Sequence, residues 1–480
     1  MHLIFSKGEL VQTIARRLLI MVVFWLSFPS LPAQDLWRPL FNGQDFSGWE
    51  RLNGSAQYEV EEGGVIAGIY RTGSPNSFLA TNEQYGDFIL EVEMKIPERV
   101  NSGIQIRSQS RPDYRNGRVH GYQVECSGIA GGYSGGIYDE ARRGWLYLTI
   151  NDARARNALK VNEWNRYRIE AVGNRIRTWI NGIPCADLVD DTDARGFIAL
   201  QVHSIANDSP DAGKKVRWRN IRIRTEKLEE ALMPEYPGLP QASYLDNELT
   251  PIEKARGWQL LWDGRTSKGW RSTQSEAFPQ EGWVIKDGVL SVEGGGAADI
   301  ITNRTYGNFV LEVDFLLSEG ANSGVKYLVD PVLIEQDGTA IGCEYQLIDD
   351  ENHPAAKSGD LREQQTLGAL YDLIPADARL LNEGWSSRIS FNGVGQWNRA
   401  RIEVRGQKVT HYLNGIKIVE YERGSQMWKA LVAFSKFAKQ PGFGEHEQGY
   451  ILLQDHGDQV SYKNIKLKLI ADNGKLIMEN

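Results

Sequence analysis

Along this chain, short runs in which every second residue is apolar recur from one end to the other. FILEVEMKI (Phe88 to Ile96) is the clearest, and RYRIEAV (Arg166 to Val172), RIRTWING (Arg175 to Gly182) and NIRIRTE (Asn220 to Glu226) repeat the pattern with minor slips. A period of two sends successive side chains to opposite faces, which predicts half-buried β-strands. Asn-Gly pairs set between apolar runs in INGIP (Ile180 to Pro184) and LNGIK (Leu413 to Lys417) predict tight hairpins. Long helical periodicity is absent from these stretches. A helix start is read in LTPIEKARGW, where Thr250 is the N-cap, Pro251 the first helical residue and Glu253 the partner three residues on. Many short strands joined by glycine-rich turns imply an all-β protein whose antiparallel sheets pack face to face, as a β-sandwich or jelly roll.

The strand pattern occurs twice. LFNGQDFSGW (Leu40 to Trp49) and LWDGRTSKGW (Leu261 to Trp270) stand 221 positions apart, as do the Tyr-Gly pairs at Tyr85 and Tyr306 and the NSG triplets at Asn101 and Asn322. Further on the offset becomes 233, where SGGIYDE (Ser134 to Glu140) faces LGALYDL (Leu367 to Leu373) and EWNRYRIE (Glu163 to Glu170) faces QWNRARIE (Gln396 to Glu403). GFIALQVHS (Gly196 to Ser204) then faces GYILLQDHG (Gly449 to Gly457), and VRWRNIRIR faces VSYKNIKLK. So many blocks in one order mark a duplicated domain, with insertions falling between blocks where loops tolerate them. The expected division is residues 36–225 for the first domain, 226–256 for a Pro-rich, charged linker with its short helix, and 257–471 for the second.

Composition narrows the classes. With 62 Asp and Glu against 54 Lys and Arg, a general electrostatic grip on nucleic acid or anionic lipid is not expected. The 14 Trp suit a β-rich protein, and exposed aromatic rings suit sugars. Three cysteines, Cys126, Cys185 and Cys343, take no equivalent positions in the two halves, so no disulfide framework is expected. At the start, Lys7, Arg16 and Arg17 precede the apolar run LLIMVVFWLSF and then PSLPAQ, which reads as a signal peptide over residues 1–33 cut after Ala33. The run is short for a membrane span, and Gln34 rather than Cys follows the cut. Export to the periplasm or the exterior, with no membrane span after cleavage, is the expectation.

Candidate chemistry sits where polar residues two apart share a strand face. The first domain offers Gln105 and Arg107 in GIQIRS, Gln123 and Glu125 in GYQVE, and Gln201 and His203 in LQVHS. The second offers Lys326, Glu344 with Gln346, and Gln454 with His456. These predict one wet sheet face per domain, read either as a groove or as an ordinary solvated face. A cation, a carboxylate and a His on one face supply an electrophile, a base and a proton donor. Glu125 and His203 are therefore the candidate base and acid of the first domain, in either order, with Arg107 and Tyr138 as electrophilic or proton-donating partners. Glu344, His456, Lys326 and Tyr371 take those places in the second. The glycine-rich GGYSGGIYDEARRGW is expected to bring Tyr138, Asp139, Glu140, Arg142 and Arg143 to a groove rim. Gln105, Gln123, Asp139, Arg142, Arg143 and Gln201, with Gln346, Asp372 and Gln454 in the second copy, are candidate substrate contacts. No cofactor and no metal site is assigned; the acidic run DLVDDTDARG (Asp187 to Gly196) is a solvated turn, with calcium or another divalent ion as its alternative.

No P-loop, dinucleotide fingerprint, HExxH or GxSxG is present. LEVDFLL has Glu312 and Asp314 but a Leu where the third acid of a jelly-roll glucanase strand would stand, so direct two-carboxylate glycoside hydrolysis is not supported. Taken together, LFNGQDFSGW, YGDFILEVEMKI, NSGIQIRS, GYQVE, SGGIYDEARRGW and the blocks after them resemble the 3-keto-disaccharide hydrolase domain family, and the second half resembles another member. The resemblance implies a concanavalin-like jelly roll, usually exported, acting on glycosides already oxidised to a ketone at sugar carbon 3. It implies removal of the proton on carbon 2, loss of the aglycone from carbon 1 and addition of water across the double bond, a net hydrolysis. One departure is that Cys126-Ser127 follows GYQVE where members often carry Ile-Asp, while the second copy has Asp349 and Asp350. The alternative reading is a non-catalytic tandem carbohydrate-binding protein, lectin-like, in which two sites add by avidity.

Overall fold

A computed structural model describes residues 36–129, 132–294, 296, 298–381 and 391–471. The expected signal peptide lies outside the described residues. Two jelly-roll β-sandwiches follow one another along the chain. In the first, a nine-stranded sheet has the central order Ile183–Val189, Arg175–Ile180, Asn165–Val172, Phe88–Lys95, Lys215–Arg224 and Val65–Ile69. It packs on a seven-stranded sheet ordered Gly144–Tyr147, Ile137–Glu140, Gly121–Ser127, Asn101–Ser108, Gly196–Val202, Ser77–Tyr85 and Trp49–Asn53. The second sandwich repeats the plan with eight and five strands.

Alternation builds both layers. Phe88, Leu90, Val92 and Met94 face inward onto Ile104, Tyr122, Val124, Ile198 and Leu200 of the other sheet, forming one core. The intervening Glu91 and Glu93 face outward and pair with Arg166, Arg222 and Arg219. Outer-facing side chains of the seven-stranded sheet divide into an apolar strip, Phe78, Ala80, Phe197 and Ala199, and a polar strip that includes Gln105, Gln123 and Glu125.

The predicted turns form: Asn181 and Gly182, and again Asn414 and Gly415, have positive φ, as a type I′ hairpin requires. Pro251–Ala255 is helical with a full capping box between Thr250 and Glu253. Short helices not read from the pattern occupy the second domain's insertions, the longest being Gln426–Ala433. All three cysteines are free and buried.

Candidate active site

Asn101–Ser108 and Gly121–Ser127 run antiparallel with Gly103 opposite Glu125 and Gln105 opposite Gln123. Next to them Gln123 faces Tyr138, and on the other side Ala199 faces Gln105. One row across the sheet therefore reads Ala199, Gln105, Gln123, Tyr138, and the adjacent row Gln201, Gly103, Glu125. A cavity of about 510 Å³ opens over the end of these rows, lined by Gln123, Glu125, Tyr138 and His203 together with Asn76, Asn101, Arg115, Arg118, Glu140 and Trp145. Gly103 is required where it stands, because a Cβ there would lie 2.5 Å from the Gln123 side chain.

Glu125 forms the floor, 4% exposed. It accepts hydrogen bonds from the Asn101 amide and, at 3.2 Å, from Gln123 Nε2. Gln123 in turn accepts from Gln105 Nε2 at 2.7 Å, and Gln105 accepts from Ser108 Oγ at 2.7 Å. Burial pushes the Glu125 carboxyl up to about 7, against the two hydrogen bonds that favour its charge and with help from the charge of Glu140. Burial, with the neighbouring Glu140 and Glu125, also raises the Tyr138 hydroxyl above its ordinary range. The Tyr138 ring meets Trp145 edge-on at 5.2 Å.

A second chain of contacts sets His203. Arg118 donates to Glu140 at 2.5 Å, Asn76 Nδ2 donates to the same oxygen at 3.3 Å, and Asn76 Oδ1 accepts from the Ser204 amide at 2.9 Å. His203 Nδ1 lies 2.7 Å from the Ser204 carbonyl, an acceptor, so Nδ1 carries the hydrogen and the neutral ring keeps Nε2 as a proton acceptor. Gln201, fully buried on the same face, has neither end of its amide hydrogen-bonded.

Four expected positions turn away. Arg107 is fully buried but donates to the Gly86 and Gly173 carbonyls at 2.8 and 2.7 Å and to Asp87 at 2.9 Å. The cause is a β-bulge: between Gln105 and Ser108 the strand spends one more residue than its partner does between Ala199 and Phe197, and Arg107 has φ of 48°. The extra residue reverses the alternation, so Arg107 ties loops together instead of facing substrate. Asp139 lies between Tyr138 and Glu140 and therefore on the opposite face, where it accepts from Arg142 at 2.9 Å and from Arg143. The two arginines continue to Asp193 and Asp190, at 2.6 and 2.7 Å. Asp139, Arg142 and Arg143 thus form an ion-paired brace behind the cavity wall. The acidic run is part of it: despite burial, Arg143 holds the Asp190 carboxyl below its ordinary range, and Asp187 pairs with Arg175 at 2.7 Å. Among the described residues no group of three or more His, Cys, Asp or Glu is placed to hold a metal ion.

The second domain arranges a related set. Lys326 faces Glu344, Gly324 faces Gln346, and the Gln454 amide donates to the Gly324 carbonyl at 3.0 Å. A Cβ on Gly324 would lie 2.3 Å from Glu344, so this carboxyl lies over Gly324 as Gln123 lies over Gly103. Burial raises the Glu344 carboxyl, against the charges of Lys326, Lys436 and His456. Lys326 Nζ is 4.0 Å from Asp299, and Lys436 Nζ stands 4.1 Å from the centre of the Tyr371 ring. Gln346 donates to Asn322 at 2.9 Å and leaves its Oε1 unpartnered. Asp372 does not join the face; it accepts from Arg362, from Gln365 at 3.4 Å and from the Lys436 amide at 3.0 Å, fastening the inserted segments.

Sequence reasoning left out Asn76, Asn101, Arg115, Arg118 and Trp145 in the first domain, and Asp299 and Lys436 in the second. Asn101 opens the matched NSG triplet, and Arg115 and Arg118 stand directly before GYQVE, so proximity to marked strands was their signal. Lys436 comes from an insertion with no counterpart to compare.

A family model described as the 3-keto-alpha-glucoside-1,2-lyase-like domain matches residues 36–224 and again 257–468. A Bacteroides thetaiotaomicron protein named 3-keto-disaccharide hydrolase is 32% identical over 256 residues, spanning 48% of this chain and 84% of its own length. A solved Parabacteroides distasonis structure, described as a candidate glycosyl hydrolase, is 32% identical over 47% of this chain and 100% of its own, with a TM-score of 0.41. A second from the same organism is 26% identical over 42% of this chain and 99% of its own, with a TM-score of 0.29. With the family model satisfied twice over most of its length, the chain belongs to the 3-keto-alpha-glucoside-1,2-lyase-like domain family.

Proposed function

We propose that this chain is a glycoside-cleaving enzyme of the 3-keto-disaccharide hydrolase type, acting in the first-domain cavity by elimination and hydration. A ketone at sugar carbon 3 acidifies the hydrogen on carbon 2. Glu125 takes that proton, the electron pair forms the carbon 1–carbon 2 double bond, and the carbon 1–oxygen bond breaks. The aglycone oxygen leaves with a proton from Tyr138, and the neutral His203 accepts a hydrogen bond from the incoming water through Nε2. Water then adds its hydroxyl to carbon 1 and its proton to carbon 2, so the balance is hydrolysis. Arg118 and Arg115 take the electrophilic place first given to Arg107, facing the ketone oxygen as charge develops on it; one well-placed donor of this kind is worth on the order of 10²–10³ in rate. Asn76 and Gln123 are the proposed sugar-hydroxyl contacts and Gln105 holds Gln123; Gln201, fully buried and outside the cavity lining, is not among them. No cofactor enters the proposed steps.

The observation that carries the proposal is a buried carboxyl raised to about 7 on the floor of an open cavity, beside a phenol and an imidazole. A base with a pKa near the working pH combines a deprotonated fraction with useful basicity. Glu344, with Lys326, Tyr371 and His456, is proposed as a second, slower centre, with Gln454 as its sugar contact; Gln346 is buried and bonded to Asn322. We also propose export after cleavage at Ala33; among the described residues no helix is long and apolar enough to cross a membrane. The test is incubation with a 3-keto-glucoside and the same glucoside unoxidised. Aglycone release from the keto compound alone supports the reading. Retention on glycan with no turnover of either compound overturns it in favour of a binding protein.

A further inference from the structure

Trp145 has two neighbourhoods. One side of it lines the candidate cavity beside Tyr138; the other lines a crevice of about 120 Å³ shared with Asn392, Trp397 and Arg399 of the second domain. Its strand, Gly144–Tyr147, is the short outermost strand of the seven-stranded sheet and, among the described residues, pairs only with Ile137–Glu140, through a register shift between Trp145 and Tyr147. Four residues paired on one side form few ladder bonds, and such an edge opens easily unless something else fastens it.

The fastening comes from outside the first sandwich. The Leu146 carbonyl accepts from the Tyr244 hydroxyl at 3.0 Å, and the Tyr147 hydroxyl donates to the Pro240 carbonyl at 2.8 Å, both partners lying in the linker. Tyr244 is itself held by the second domain, where the Arg399 guanidinium lies 4.4 Å from its ring centre. Arg399 cannot wander, because Asp314 accepts from it twice, at 2.5 and 2.9 Å. A few residues on, Asn151 donates to the Gly415 carbonyl at 2.8 Å, and Leu148 packs against the second domain's core.

We infer that the second domain is a positioning element of the first domain's site: through Arg399 and Tyr244 it fixes the strand that carries Trp145 and, by cross-strand pairing, Tyr138. The duplication then supplies a wall support as well as a second face. The inference rests on the first-domain cavity being the reaction centre, and its test separates the two ideas. In the full-length protein, Tyr244→Ala is expected to raise KM for a 3-keto-glucoside about tenfold, since wall misplacement weakens productive binding. Amide exchange should speed up over residues 137–147 and stay unchanged in Asn101–Ser108. Tyr244→Phe keeps the ring on Arg399 but loses the hydroxyl's bond to the Leu146 carbonyl, so exchange over residues 144–147 should also speed up, with a smaller rise in KM than Tyr244→Ala gives. Should Tyr244→Ala fail to fold, Arg399→Lys, which keeps the charge for Asp314 but loses the planar contact with the ring, takes its place with the same expected directions. Unchanged KM together with unchanged exchange overturns the inference. A wild-type protein that leaves every keto-glycoside intact overturns the reaction instead, and the exchange measurement still decides the support.

Discussion

Gln123 and Glu125 in the first domain stand where Glu344 and Gln346 stand in the second, so the carboxylate and the carboxamide have exchanged places on equivalent strands. The surroundings did not exchange. Gly103 and Gly324 both make room for the first member of the pair, Gln123 or Glu344, lying diagonally across from them, Asn101 and Asn322 both bond the second member, and Ser102 and Ser323 both donate to the carbonyl of the matching Gln, Gln201 or Gln454. Around this constant frame the charges differ: Gln105 is replaced by Lys326, Phe78 by Asp299, and an insertion adds Lys436. The framework conserves where a side chain is held, and the identity of the side chain sets what it does there. Under the proposed reaction the carboxyl of the second face stands one row away from that of the first, which is why the two faces are assigned different rates.

The sharpest break in this comparison is Glu125→Gln. It is expected to lower kcat/KM on a 3-keto-glucoside by about 10²–10⁴, the usual worth of a positioned base. Adding Glu344→Gln should remove the residue of activity, while Glu344→Gln alone should cost no more than about twofold, as loss of the minor of two parallel paths. Equal losses from the two single variants would overturn the ranking of the faces. Next in size is Arg107→Leu, which installs the residue its counterpart Leu328 supplies. Leaving the Gly86 and Gly173 carbonyls and Asp87 without their donor should cost about 3 kcal/mol in urea unfolding, with KM unchanged; a raised KM at normal stability would return Arg107 to the site.

The third contrast is in pH. Deprotonation of Glu125 in the free protein predicts that kcat/KM climbs with pH and levels off above about 7. The same shift has a stability consequence of the opposite sign. The folded carboxyl holds its proton more tightly than the unfolded one, so this contribution is complete below the ordinary value of 4.5 and is lost as pH rises through about 7. Glu125→Gln, which has no charge to bury, should therefore be more stable than wild type at pH 8 by on the order of 1–3 kcal/mol and should show no such gain at pH 4. Smallest is Tyr138→Phe, expected to lower kcat about tenfold through loss of one proton donor, with the pH midpoint unmoved; a shifted midpoint would make Tyr138 rather than Glu125 the titrating group.

Much of this was legible in the sequence. The alternation in FILEVEMKI, the Asn-Gly hairpins and the Thr250 capping box all became the elements they predicted, because each depends on contacts within a few residues. Pairing Gln123 with Glu125 on one face followed from the same rule, and so did the row containing Gln105. The rule also separates Asp139 from Tyr138 and Glu140, a signal missed when that stretch is read as a glycine-rich loop instead of a strand. Arg107 is different in kind. A bulge on Asn101–Ser108 is specified by what the neighbouring strand can match, and nothing in GIQIRS announces it, although Leu328 in the matching position of the second copy is an odd occupant for a wet face. Lys436 and Trp145 depended on where an insertion and a second domain come to rest, which period-two reasoning does not reach.

That bulge works as a phase shifter for anyone redesigning this face. Both copies keep it, with Arg107 and Leu328 each at positive φ. Residues on either side of it answer to opposite parity, so a library that randomises alternate positions straight through the strand would spend half its variants on the core. Deleting one residue there would bring the ladder into step, at the expense of the three bonds by which Arg107 holds Gly86, Asp87 and Gly173. The candidate face and the loops behind it are thus coupled through a single count of residues, and neither can be reset without re-anchoring the other.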